Sequence, residues 1–222
     1  MNKINPKTLD FLENLAENNN REWFNENKSL YLQAKLDFEN IVDVIISQAS
    51  EFDASIKKLE AKNCGFRIYR DTRFSKDKTP YKINMGASLA AKGTKTLSNA
   101  GYYIHMEPQK SFVAGGVYIT ENKNLKAIRE KISSESKRFL DIINKKSFAG
   151  NLELQGEKLA KVPQGFSKEN PMSEYLKYKQ FTVIHPISDQ ELLSDNFITK
   201  VVNVFKEIYP FNCFLNEAIV GI

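Results

Sequence analysis

The chain has 222 residues, of which 41% are hydrophobic and 27% charged, with two cysteines, two histidines and a formal net charge of +5. This is the composition of a globular protein able to bury a full core, and it excludes disordered, collagenous and disulfide-stapled chains. No apolar run approaches the roughly 18 residues of a membrane span, and Met1 to Pro6 lacks the apolar stretch of a secretory signal, so a cytoplasmic location is expected.

Asn5 followed by Pro6 predicts a capped helix start, with Leu9, Leu12 and Leu15 on one face. The run Asn18–Asn20 breaks that helix and caps the next. A long helix is predicted from Arg21, with Leu30, Ala34, Phe38, Ile41 and Ile45 toward the core and Trp23 and Phe24 in its first turns. The pattern then turns to period two. Phe66 and Ile68, then Ile83 to Leu89, Tyr102 to Met106 and Phe112 to Tyr118 read as successive strands, with polar turns at 91–99 and 108–110. Gly115-Gly116 predicts a bulge or a close backbone approach.

A second long helix is predicted from Asn122, with Leu125, Ile128, Ile132, Phe139 and Ile142 inward, followed by an irregular stretch from Ser147 to Lys179. Phe181 to Ile184 reads as a short strand. Ser188 to Glu191 is a capping box opening helical segments that Pro210 is expected to stop at Tyr209. Helices, a run of strands and helices again predict a single α+β domain over residues 1–222. Its central sheet is mostly antiparallel, a meander from about residue 64 to 118, packed by N-terminal and C-terminal helices.

The charge is unevenly placed. Residues 62–82 hold seven basic side chains (Lys62, Arg67, Arg70, Arg73, Lys76, Lys78, Lys82) against Asp71 and Asp77, which is the whole net excess of the chain. A neutral protein with one basic island points to a local anion site rather than to a nucleic-acid coat. Thr79-Pro80 requires extended or turn backbone, so Asp71 to Thr79 is predicted as a loop between strands. Tyr69, Phe74 and Tyr81 are expected to anchor it, and the strand must end near Arg70 if the arginines are to converge. The 17-residue run Phe66–Lys82 resembles the signature of a bacterial family of conserved hypothetical proteins, domain of unknown function 2461. Arg21 to Phe24, Gly101 to Pro108, Phe112 to Gly116, Leu154 to Glu157 and Pro163 to Phe166 agree in the same order, so the resemblance covers nearly the whole chain; Thr72 and Ala114 are small departures. The resemblance implies no activity.

Period two also places Tyr103, His105 and Glu107 on one strand face, where a histidine and a carboxylate can act as general base and orienter, supply two ligands of a metal, or pair as cross-strand polar groups. The cysteines and histidines, at 64, 105, 185 and 213, lack the spacing of a structural zinc site, while an all-oxygen magnesium or calcium site stays open. Cys64 reads as a small buried filler or as a thiol activated by Arg67, and His185, before Pro186, as structural. No Walker A loop, dinucleotide glycine fingerprint or serine elbow is present.

Three readings follow. The first is a domain binding a phosphorylated or other anionic ligand, nucleic acid included, through Arg67, Arg70, Arg73, Lys76, Lys78 and Lys82. The second is an enzyme on an anionic substrate with His105, Glu107 and Asp71 as candidate catalytic groups. The third is a structural or interaction module whose loop is braced internally by its own acids. No residue is assigned to a cofactor or metal, and no membrane partner is expected.

Overall fold

Asn5 caps the first helix as its sequence predicts: its side chain accepts from Lys7 N at 3.0 Å, and Pro6 opens α1 (Pro6–Glu17), which buries Leu9, Leu12 and Leu15. A computed structural model describes residues 3–90 and 99–220. Asn20 caps α2 (Arg21–Glu26) by accepting from Trp23 N at 3.0 Å. The long helix predicted from Arg21 is therefore two: Asn27, at φ −102° and ψ 17°, separates α2 from α3 (Lys28–Ala49). Ala34, Phe38, Ile41 and Ile45 are buried on α3, but Leu30 is 44% exposed. Tyr31 takes the inward position instead, its ring 5.2 Å from Phe24. A short helix, α4 (Ala61–Cys64), leads into the basic segment.

The meander consists of β1 (Met85–Leu89), β2 (Gly101–Met106) and β3 (Ser111–Val117), paired antiparallel in sequence. Residues 91–98 of the predicted polar turn lie outside the described residues. The second long helix is again divided, at Glu135, into α5 (Asn122–Ser134) and α6 (Ser136–Ile143), which bury Ile128, Ile132 and Phe139. The stretch predicted as irregular contains α7 (Lys146–Asn151), β4 (Glu153–Gln155) and α8 (Ser173–Leu176). β5 runs to Ile187 from Phe181, longer than predicted, and inserts between β3 and β4, so the sheet order is β1-β2-β3-β5-β4. Pro186 is tolerated there because β4 pairs only with residues 182–184 and leaves that part of β5 one neighbour. The architecture is α+β with a central antiparallel sheet.

The capping box at Ser188 opens α9 (Asp189–Leu192) as predicted. α10 (Phe197–Val220), however, passes through Pro210 without stopping. Its inward face continues on both sides of the proline, with Val201, Phe205, Ile208, Phe211, Phe214 and Leu215 all buried, and that packing outweighs one lost backbone bond. α10 lies on the sheet face carrying Tyr102, Ile104 and Met106, where Tyr102 stacks on Phe205 at 4.5 Å. The double glycine serves this contact. A Cβ on Gly115 would stand 2.2 Å from Ile208, and Gly116, at φ +105°, would place one 2.0 Å from Phe181 O. The pairing is regular through both residues, so they permit close approach and make no bulge. One continuous cluster of buried side chains joins Ile4 to Leu215.

Candidate functional site

The basic segment is a hairpin whose root abuts the outer edge of β1. Gly65 pairs with Ala87, and Phe66 N donates to Gly86 O at 2.9 Å. Farther out Tyr69 pairs with Tyr81, Lys82 N donates to Ile68 O at 2.7 Å and Arg70 N to Pro80 O at 2.9 Å. The ladder ends at Arg70, and Asp71 to Thr79 forms the tip. The root is held from the helical side: Tyr81 is buried and stacks 3.9 Å from Phe24, while the Asn19 side chain bonds both backbone groups of Tyr81.

Within the tip the two acids are already engaged. Asp77 accepts from Thr79 N at 2.9 Å and from Arg70 Nη1 at 2.5 Å, and Arg70 also donates to the Thr79 hydroxyl. The Thr79 backbone bond, followed by the one from Arg70, holds the Asp77 carboxyl down at about 2. Asp71 is gripped by Arg73 through Nε at 2.9 Å and Nη2 at 2.6 Å, and that bonding lowers its pKa. Lys78 Nζ donates to Thr72 O at 2.9 Å. Arg70 and Arg73 thus turn to separate carboxylates of their own loop. Phe74 is no anchor: at the tip, beyond reach of the body, it is 94% exposed with the Arg73 guanidinium 5.7 Å from its ring.

Arg67, Lys76 and Lys82 differ: no carboxylate among the described residues lies within 4.0 Å of them. Lys82 is partly buried with its ammonium 5.4 Å from the Phe66 ring. Burial, and then the neighbouring Arg67, push its pKa below the usual lysine range.

Beside this root, on the sheet face opposite α10, stands a hydrogen-bonded chain. Tyr103 Oη lies 3.2 Å from His105 Nδ1, and His105 Nε2 lies 3.1 Å from Glu107 Oε2. Burial lowers the His105 pKa, against the opposing pull of Glu107, so the imidazole is neutral near pH 7. The network then assigns the proton to Nε2, donating to Glu107, and leaves Nδ1 to accept from the Tyr103 hydroxyl. Burial pushes the Tyr103 phenol up to about 12. Phe112, opposite His105 in the ladder, stacks on it at 4.6 Å. Gly86 makes room for the tyrosine, since a Cβ there would sit 2.4 Å from Tyr103 Oη. Phe66 joins the two features, its ring 6.0 Å from that of Tyr103.

The remaining candidates are structural. Cys64 is buried, and burial pushes its thiol up to about 11, the opposite of activation. His185 Nδ1 bonds Asn151 O at 2.7 Å. Among the described residues no group of three or more His, Cys, Asp or Glu is placed to hold a metal ion, and no helix is long and apolar enough to cross a membrane.

The fold and this face define an α+β protein carrying a basic hairpin on the edge of an antiparallel sheet. The chain belongs to the conserved hypothetical protein family DUF2461, whose model matches residues 7–214. No curated protein and no solved structure matches it.

Proposed function

We propose that the protein binds a phosphorylated or other anionic ligand at the root of the hairpin, with Arg67 and Lys82 as its principal cations and Lys76 and Lys78 farther out. The observation that carries this reading is the Arg67–Lys82 pair: two neighbouring like charges, one of them partly buried, neither ion-paired to a carboxylate among the described residues, with the Asp71 charge felt by Arg67 only at longer range. Such a pair is unfavourable alone, and an anion between them would offset both the repulsion and the desolvation. The guanidinium supplies a bidentate fork and the ammonium a point charge. Arg70 and Arg73 shape the tip and keep the root in register.

Titration with inorganic phosphate and pyrophosphate by calorimetry tests the reading. Arg67→Ala and Lys82→Ala should each weaken binding at least tenfold with little change in melting temperature, whereas Arg70→Glu should lower stability. Unchanged affinity in the Arg67→Ala/Lys82→Ala double variant overturns it.

The Tyr103–His105–Glu107 chain favours a second reading, an enzyme on an anionic substrate in which this chain supplies acid–base chemistry beside the cations. Turnover of a chromogenic phosphate ester that survives undiminished in both His105→Ala and Glu107→Gln removes that reading.

A further inference from the structure

We infer that the anion taken by the hairpin is single-stranded nucleic acid, an inference that rests on the binding reading above. Among the described residues eight large hydrophobic side chains are exposed, and three of them, Phe66, Tyr69 and Phe74, lie in the 17 residues of the hairpin. Tyr69 is 51% exposed and Phe74 94%. A phenylalanine so exposed adds almost nothing to folding, so its ring is available to a partner.

The ring also has a cation beside it. The Asp71 carboxylate fixes the Arg73 guanidinium through two bonds, and the guanidinium lies over Phe74. At 5.7 Å the cation lies near the ring without covering it, and both faces stay open to solvent. Arg67, Lys76, Lys78 and Lys82 lie along the same hairpin. Exposed rings interleaved with cations are what a flexible single strand requires: bases stack on the rings and phosphates meet the cations, without sequence readout. A duplex keeps its bases stacked on one another and offers no free face to such rings.

An anionic membrane surface is the competing occupant, since it too favours a cationic segment with an apolar tip. The hairpin's exposed apolar side chains are all aromatic. Ile68, its one branched aliphatic residue, is buried. That composition suits stacking better than insertion among acyl chains.

The test uses the full chain and a fluorescein-labelled oligo(dT) of about 20 nucleotides, long enough for one binding footprint. Anisotropy should report binding whose logarithm falls with the logarithm of salt, at a slope of roughly −0.7 for each phosphate contact. Phe74→Ala should weaken it at least fivefold while leaving pyrophosphate affinity unchanged. Equal binding of the matched duplex overturns the inference. Phe74-dependent binding to phosphatidylserine vesicles without oligonucleotide binding overturns it in favour of the membrane. Pyrophosphate binding with no oligonucleotide binding overturns it and leaves the binding reading intact; failure of both ligands removes both.

Discussion

Asn19 closes both backbone valences of Tyr81, donating from Nδ2 to Tyr81 O at 2.9 Å and accepting at Oδ1 from Tyr81 N at 3.1 Å. One side chain from the α1–α2 junction thereby substitutes for a neighbouring strand and fixes the angle at which the hairpin leaves the body. Asn19→Ala would leave both groups without their partner. A loss of roughly 1–3 kcal/mol follows, read as a lower urea midpoint, with weaker phosphate binding as the hairpin root loosens. An unchanged midpoint would show that the hairpin is held by its aromatic contacts alone.

The glycines of the sheet should respond unequally. Gly116→Ala combines a positive φ with a Cβ 2.0 Å from a backbone oxygen, and neither can relax locally. A cost of roughly 2–5 kcal/mol is expected, seen as poor soluble expression or a much lower melting temperature. Gly86→Ala meets only the far end of the Tyr103 side chain. It should stay folded, displace the phenol from His105 and change the near-ultraviolet tyrosine signal.

Stability should depend on pH through His105. Burial is the main cause lowering its folded pKa, so the unfolded chain binds the proton more readily. The stabilisation is fully present above the unfolded value of about 6.5 and is lost as pH falls through the lower folded value. Urea midpoints measured from pH 7 down to pH 5 should decline in the wild type and flatten in His105→Gln. An equal decline in both would assign the slope to other groups. Asp77, titrating near 2 in the fold, acts in a lower window.

Pro210 is exposed inside α10. Pro210→Ala restores a backbone donor and removes the ring's clash with the preceding turn, so a gain of about 1–3 kcal/mol is expected. A differential-scanning melt would check it; a lower melting temperature would mean that the proline sets a bend the packing needs.

The two thiols should separate kinetically. Burial raises both, but Cys64 is fully buried and Cys213 only partly so. Ellman's reagent should therefore titrate one thiol in the native protein and two in urea. Rapid reaction of Cys64 would contradict its burial.

Much of this was legible in the residues. The apolar spacing placed α1 and α3, the capping box found the start of α9, and period two found the meander and put Tyr103, His105 and Glu107 on one face. The charge count and Thr79-Pro80 located the hairpin. The divisions at Asn27 and Glu135 were not legible, because neither site carries the glycine or proline that punctuates a helix. β4 was missed because three residues are too few to show alternation. The proline rule failed at Pro210 because buried side chains on both sides of it carry the helix onward. The Asn19–Tyr81 bond joins residues 62 positions apart, a contact no local pattern announces. Convergence of the arginines required the strand to end near Arg70; it does end there, but Asp71 and Asp77 are near enough in sequence to draw Arg73 and Arg70 apart.

The root of the hairpin also covers part of the sheet margin. An open edge strand invites a second chain to add on, and β1 would be such an edge. Gly65 and Phe66 lie against it, bonded through Ala87 and Gly86, while the opposite margin is β4, only three residues long. Association between copies by sheet extension is thus discouraged at both ends. Replacing residues 66–82 with a short glycine linker should uncover β1 and shift the protein to higher-order species on size-exclusion chromatography.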